Sequence, residues 1–447
     1  MSDSSRAQLI FSSETLFNEV PVTPVMQKLR FNVEALKHNN ATAVSAEIRP
    51  DRMRSDLVLL GIDVSGNVDA ELSYGTYDIF LQAALCGTWT ALSNTYADGV
   101  TTNSSPVFQS GSADFTMSDI GKVISTANYP VGTTIISWQS ATQVTLSANA
   151  TAGGTAQSFT IYQRQVTDGV TTSGSPNITS ATANFTAADV GAPVSGAGIT
   201  AGTTILSVTN ATTAVLSANA TASASSVRIL IGNHGYVLNN GVTNRSFLIE
   251  RGYADIGQYF QFRGCAVEEF NVDITARKIM MLTMVMMGGQ ATRSSASVSG
   301  SVTNSTTTDV MRAGTYITGI SGNTNMTTLK ARRVTFGIKN NMRAHELVTQ
   351  LASDDFGRGV MDITGTIESY FNSGALFDQF IGNSATGFQF NVADPNGLGS
   401  YTFRFPKIKL ADTDPGGVPG VDADVIQKVG YRGLFDPVTN CHMRVTR

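Results

Sequence analysis

Acid–base, nucleophilic and metal chemistry each need a few particular side chains held close together, and this chain is sparing with them. Its four histidines, His38, His234, His345 and His442, stand far apart with no metal-ligand spacing between any two. His38 and His234 fall in Asn- and Gly-rich stretches that read as loops. His345 sits beside Glu346 in a helix predicted over Met342 to Leu351, at a solvated position. Cys86, Cys265 and Cys441 are odd in number and have no C-x-x-C spacing, which suits a reducing cytoplasm and argues against disulfides and structural zinc. The pairs Gly153-Gly154 and Gly288-Gly289 lack the G-x-x-x-x-G-K-[ST] pattern that cradles phosphates. Asp63, Asp69 and Glu71 are the nearest thing to paired carboxylates, yet even spacing along a strand places them on one face without implying catalysis. The expectation is no catalytic residue, no metal, no cofactor and no enzymatic activity.

The elements that carry these carboxylates are legible. Ile62, Val64, Val68, Ala70 and Leu72 alternate with Asp63, Ser65, Asn67, Asp69 and Glu71, the period of a strand with one buried and one wet face. Tyr77, Phe80, Leu81, Ala84 and Leu85 follow at the spacing of one helix face, with Ser73 or Thr76 as the expected cap. The same sequence of events recurs about 300 residues on. Met361, Ile363, Ile367 and Phe371 alternate with Asp362, Thr364, Thr366 and Glu368, and Phe377-Asp378-Gln379-Phe380-Ile381 continues as a helix. Phe260-Gln261-Phe262-Arg263 and Phe403-Arg404-Phe405 read as later strands of the two halves.

A sharper repeat lies between the halves. Asp98-Gly99-Val100-Thr101-Thr102 returns 70 residues later as Asp168-Gly169-Val170-Thr171-Thr172, and Leu146-Ser147-Ala148-Asn149-Ala150 returns as Leu216-Ser217-Ala218-Asn219-Ala220. Each copy is rich in Thr, Ser and Val with Gly and Asn turns, so each reads as a small all-β module. Tyr129 and Trp138 are candidate exposed aromatics for glycan binding, although the second copy has Ile199 and Val208 in their places. The chain is therefore read as mainly β. A first domain over 1–97 continues at 233–275, modules occupy 98–165 and 166–232, and a second domain spans 276–447. Each domain is expected to be a sandwich or barrel with one flanking helix.

Composition narrows the function classes. In 447 residues, 30 basic and 34 acidic side chains give a net charge of −4, with no Lys/Arg block longer than a pair, so gripping duplex DNA is not expected. The longest apolar run, Ile279 to Met287, is about half the roughly 20 residues of a membrane-spanning helix, and the N-terminus lacks a signal-peptide pattern. That Met-rich run reads as sheet core or subunit interface. Ala291 to Thr328 is polar and long for a connection, a candidate protruding arm or a flexible loop.

Several segments together resemble the major tail tube protein of long-tailed bacteriophages with non-contractile tails (siphoviruses). They are Glu47-Ile48-Arg49-Pro50-Asp51-Arg52, Glu71-Leu72-Ser73-Tyr74-Gly75-Thr76-Tyr77-Asp78, Ser246-Phe247-Leu248-Ile249-Glu250-Arg251, Phe262-Arg263-Gly264-Cys265 and Gly430-Tyr431-Arg432-Gly433-Leu434-Phe435. The modules are similar to repeats on phage structural proteins. The resemblance implies a virion protein made in the host bacterial cytoplasm, assembled as rings that stack into a tube delivering the genome. Its implied partners are copies of itself, a tape-measure protein, tail terminator and tip proteins, and passing DNA without specific binding. Two similar halves suggest a trimeric, pseudo-hexameric ring, with a ring of six chains as the alternative. Asp63, Asp69, Glu71 and Glu368 are the candidate lumen-facing residues, and an electronegative bore follows if they line it. The competing functions are a receptor- or glycan-binding tail protein, its modules engaging host-surface glycans, and a polysaccharide-degrading tail enzyme.

Overall fold

The computed structural model describes all residues except 1–2, 187–188, 300, 315, 323–325, 327–328, 397–398, 415–416 and 418–420. It is mainly β, with curled sheets and tandem β domains. Residues Met1–Thr88 and Leu238–Val445 form one compact unit, and Trp89–Val237 with Thr446–Arg447 form a second.

Ten strands and two helices carry the argument for the first unit: β1 Lys37–Val44, β2 Leu57–Glu71, α1 Asp78–Ala84, β3 Phe247–Tyr253, β4 Gln258–Thr275 and β5 Met281–Gly288, then β6 Ala331–Lys339, β7 Asp362–Tyr370, α2 Ala375–Ile381, β8 Thr386–Ala393, β9 Ser400–Asp414 and β10 Ile426–Gly433. The second five strands repeat the pairings of the first. β1 pairs with β2, β2 with β5, β5 with β4 and β4 with β3, all antiparallel. β6 pairs with β7, β7 with β10, β10 with β9 and β9 with β8 in the same way. The halves are joined edge to edge by β4 and β6, in register from Glu269↔Lys339 to Thr275↔Arg333.

Period-2 alternation decides which face of this sheet is dry. Val64, Val68, Ala70, Leu282, Met284, Phe270, Val272, Phe336 and Ile338 are buried, and their neighbours along each strand are not. The Met-rich run follows this rule: Leu282, Met284 and Met286 enter the core, while Thr283, Val285 and Met287 are half-buried on the opposite face. In the first half α1 buries Phe80, Leu81, Ala83 and Ala84, with the Phe80 ring 4.8 Å from Phe11 and 4.7 Å from Phe247. In the second, Phe388 stacks 4.8 Å from Phe405, and Phe336 lies 5.0 Å from Phe403. Each such ring contributes about 1.5–3 kcal/mol by leaving water. Helix α1 opens at Tyr77 without a side-chain cap; Ser73 and Thr76 bond to each other at 2.6 Å instead. The Tyr77 hydroxyl donates to Arg30 O, and burial pushes its pKa up to about 12.

Two expectations give way to tertiary pairing. Residues 342–351 are not helical, because Arg343–Ala344 pairs with Phe356–Gly357 and Met342 packs with Phe356 and Ala266. The stretch from 291 does not protrude where it is described. Val302–Thr303 pairs in parallel with Met26–Gln27, Thr308 donates to Tyr74 O at 2.9 Å, Arg30 donates to Thr308 O at 2.6 Å, and Met311 is fully buried. Its last part, near 323–328, lies largely outside the described residues.

The chain leaves this unit after Thr88 and re-enters at Leu238. The two ends are tied, with Gly241 N donating to Leu85 O and Thr243 N to Cys86 O, both at 2.8 Å. Within the second unit each repeat forms its own six-stranded sheet with one strand order. Core residues correspond at 70-residue spacing, Phe108, Phe115, Ile135 and Phe159 in one and Ile178, Phe185, Ile205 and Ile229 in the other.

Equivalent glycines mark the two halves. A Cβ on Gly66 would strike Ala35 O, and one on Gly365 would strike Thr335 O and the Tyr431 hydroxyl. Gly365→Ala should therefore destabilise the fold by about 1–3 kcal/mol, read as a lowered denaturant midpoint. Gly374→Ala, whose Cβ would meet nothing within 4 Å, is the control and should leave the midpoint unchanged. Equal midpoints for both variants would refute the close approach.

Candidate functional site

The half-wet face of the sheet formed by these strands carries the candidate residues of the first unit. Asp63, Asp69 and Glu71 sit along β2 on that face, and Glu368 sits on β7, with β5, β4 and β6 between them. The structure thus puts all four expected residues on one face but not in one cluster. Asp69 accepts from Thr283 at 2.7 Å and Asp63 from Asn39 at 2.7 Å.

The face is not uniformly acidic. Arg333 bonds Asp273 at 2.6 Å and lies 3.4 Å from Glu368; Lys339 reaches Glu269 at 2.6 Å, and Arg432 lies 3.6 Å from Asp362. The Arg333 hydrogen bond holds the Asp273 carboxyl below its ordinary value, and Lys339 does the same to Glu269. These pairs are part-exposed and screened by water and salt, so each contributes little to stability. Their main effect is to cancel charge across neighbouring strands. Sequence reading found the acids and missed their partners, although Arg333, Thr335, Gly337 and Lys339 carry the same alternation.

Beyond Asn40 the β1–β2 hairpin runs free of other strands, and both of its faces are exposed. Val44, Ile48, Met53, Leu57, Val58 and Leu60 are all open to solvent, Ile48 almost fully at 97%. The corresponding connection in the second half, between β6 and β7, exposes Leu347, Val348, Leu351 and Val360. A soluble monomer rarely shows so much contiguous apolar surface, and its usual meaning is a protein contact. His38 lies in β1 rather than in a loop.

In the modules, the aromatic expectation is overturned. Tyr129 is only 5% exposed, because its ring completes the core and its hydroxyl donates to Ser105 O at 3.2 Å and Val107 O at 3.0 Å. Trp138 is half-buried against the same core, with Nε1 donating to Phe115 O at 2.8 Å. Neither offers a glycan platform. His234 lies in the loop between Ile231 and Tyr236, as expected, yet it is fully buried, its Nδ1 2.7 Å from the Tyr96 hydroxyl. Its Nε2 lies 3.1 Å from Asp119, poorly aligned for a hydrogen bond, while Lys122 reaches Asp119 at 2.7 Å. Burial alone would raise the Asp119 carboxyl, but the charges of Lys122 and His234 overcome it and hold the group well below the carboxylate range. Thr116 N donates to the same carboxylate at 2.7 Å, and in the second module Thr186 N and Arg164 engage Asp189 correspondingly.

No chemistry emerges from these clusters. Among the described residues no group of three His, Cys, Asp or Glu side chains is placed to hold a metal. An open cavity of about 390 Å³, lined by Arg30, Thr306, Thr308, Asp309 and Arg312, has no histidine or cysteine in its wall. All three cysteines are free and buried.

Two like β halves joined edge to edge, a polar face crossed by ion pairs and exposed apolar hairpins are the main features of the first unit. The chain belongs to the phage tail tube protein family, which it matches over residues 4–234 and again over 210–433. It is a structural tail tube protein of a bacteriophage tail. A search of curated proteins found no match. No helix among the described residues is long and apolar enough to cross a membrane.

The buried Asp119 group yields a prediction. Its folded pKa is depressed, so its stabilisation is fully present above about pH 4 and is lost only as pH falls through the folded value. Asp119→Asn should cost about 3–5 kcal/mol at pH 7 by stranding Lys122, seen as faster hydrogen exchange in the first module of the full chain. Unchanged exchange would remove the anchoring role.

Proposed function

We propose that the chain forms rings that stack into the tail tube of a phage with a non-contractile tail, the tube conducting the genome into the host. The observation that carries this reading is the doubled half, two sets of five strands with one pairing scheme, in a chain of the tail tube family. Three chains then present six similar halves, so a trimeric ring with pseudo-sixfold symmetry is the arrangement proposed, and a ring of six chains is its competitor. The exposed hairpins supply apolar contact between copies. The polar face suits a bore, because its acids outnumber its bases and the bases are held in ion pairs, so a passing polyanion meets no continuous cationic stripe to bind it. The modules decorate the outside, since anything filling the bore would block DNA. A tape-measure protein sets tube length, terminator and tip proteins close the ends, and synthesis is in the host cytoplasm, in keeping with three reduced, buried cysteines.

Electron microscopy of the overexpressed protein should show hollow tubes or stacked annuli, and ring mass should equal three chains; six would refute the trimer. Removing residues 98–228 should leave tubes intact but narrower outside, and loss of assembly would contradict the decoration role. Replacing Leu57, Val58 and Leu60 by threonine should leave a folded monomer that no longer grows tubes. Tubes of normal length from that variant would dismiss the hairpin as a contact.

A further inference from the structure

The two halves are packed by matching positions but not by the same chemistry. With Gly66 equivalent to Gly365, the β2–β5 rungs Gly66↔Met286, Val68↔Met284 and Ala70↔Leu282 correspond to the β7–β10 rungs Gly365↔Tyr431, Ile367↔Val429 and Ser369↔Gln427. One strand further on, Phe270 opposite Met284 corresponds to Thr413 opposite Val429. The first half therefore fills one corner of its dry face with Ala70, Leu282 and Phe270, at 0%, 1% and 2% exposure. The second half puts Ser369, Gln427 and Thr413 there, at 0%, 1% and 8%. Three apolar side chains are matched by three polar ones that stay in the core.

A hydroxyl or amide taken out of water without a new hydrogen bond is costly, so buried ones are nearly always satisfied by protein or by ordered water. Ser369 Oγ, Thr413 Oγ1 and Gln427 Nε2 have no hydrogen-bond partner among the described residues. Ser369 stands directly opposite Gln427, and Thr413, opposite Val429, is diagonal to Gln427 on the other side. Directly opposite residues are about 4.5–5.5 Å apart at Cβ and diagonal ones about 7–8 Å or less, spans that these side chains narrow to the reach of one or two bridging waters. Thr is also much smaller than the phenylalanine in the matching place, and neither Ser for Ala nor Gln for Leu makes up the bulk. We propose that the second half holds an internal water site, one or two ordered waters bound by Ser369, Thr413 and Gln427 within an otherwise apolar core. The three side chains are neutral and offer donors and acceptors together, which suits water and gives an ion of either sign nothing to neutralise it. Ile367 and Val429 form the next rung and are buried, so the water is sealed on that side. The site goes beyond the tube reading and stands whether or not tubes form.

The test begins with a crystal structure of the full-length chain at a resolution that shows waters. At least one ordered water should lie within about 2.7–3.2 Å of two of the three groups. The second measurement is hydrogen exchange of the β7, β9 and β10 amides in full-length Ser369→Ala, Thr413→Val and Gln427→Leu, each close in volume to the side chain it replaces. A water that loses one protein partner is held less well and leaves the other groups unsatisfied, so exchange should run about two- to tenfold faster than in the unsubstituted chain in at least two of the variants. Groups left unpaired in a dry corner behave in the opposite way, since removing one relieves a cost and slows exchange. Slower or unchanged exchange in two or more variants would overturn the site, as would density in which the three side chains bond to protein alone. Should a variant not fold, the density decides.

Discussion

The hydrogen-bonded junction of β4 with β6 is the constraint on which the rest of the first unit depends. It runs from Glu269↔Lys339 to Thr275↔Arg333 and fixes the relative register of two halves that would otherwise each end in an open edge. A slip of β6 by one residue against β4 would send Phe336 and Ile338 to the wet face and Arg333 and Lys339 into the core. Aromatic packing on one side and ion pairing on the other therefore both presuppose this one ladder.

The polar face has a physical logic of its own. Carboxylates bound to arginine and lysine on adjacent strands present alternating rather than summed fields, and such fields decay quickly in salt. The pairs at Arg333 and Lys339 are weak contributors to stability but strong determinants of how the face looks to a polyanion.

Much of this was legible in the sequence because it is local. The alternation over 62–72 and 361–371, the helices near 78 and 377, and the 70-residue repeat all follow from periodicity in single segments. What was not legible depends on partners distant in sequence. Residues 342–351 have helical spacing, yet pairing of Arg343–Ala344 with Phe356–Gly357 overrides it. Tyr129 and Trp138 look like surface aromatics until the module folds and their rings complete its core. His234 has no neighbour in sequence to announce Asp119, which lies 115 positions earlier in the first repeat. The acids of the polar face were visible, but their neutralisation was not, since Arg333 meets Asp273 and Glu368 only through the sheet.

The hydrogen bonds from Gly241 to Leu85 and from Thr243 to Cys86 have an evolutionary consequence. Because they clamp the departing and returning segments side by side, the closure entropy of whatever lies between grows only slowly with its length. The site works as a socket. A different cassette with adjacent termini, or a third tandem copy, would plug in at the same place and leave the underlying architecture untouched, so the insert can change while the doubled β halves are inherited unaltered.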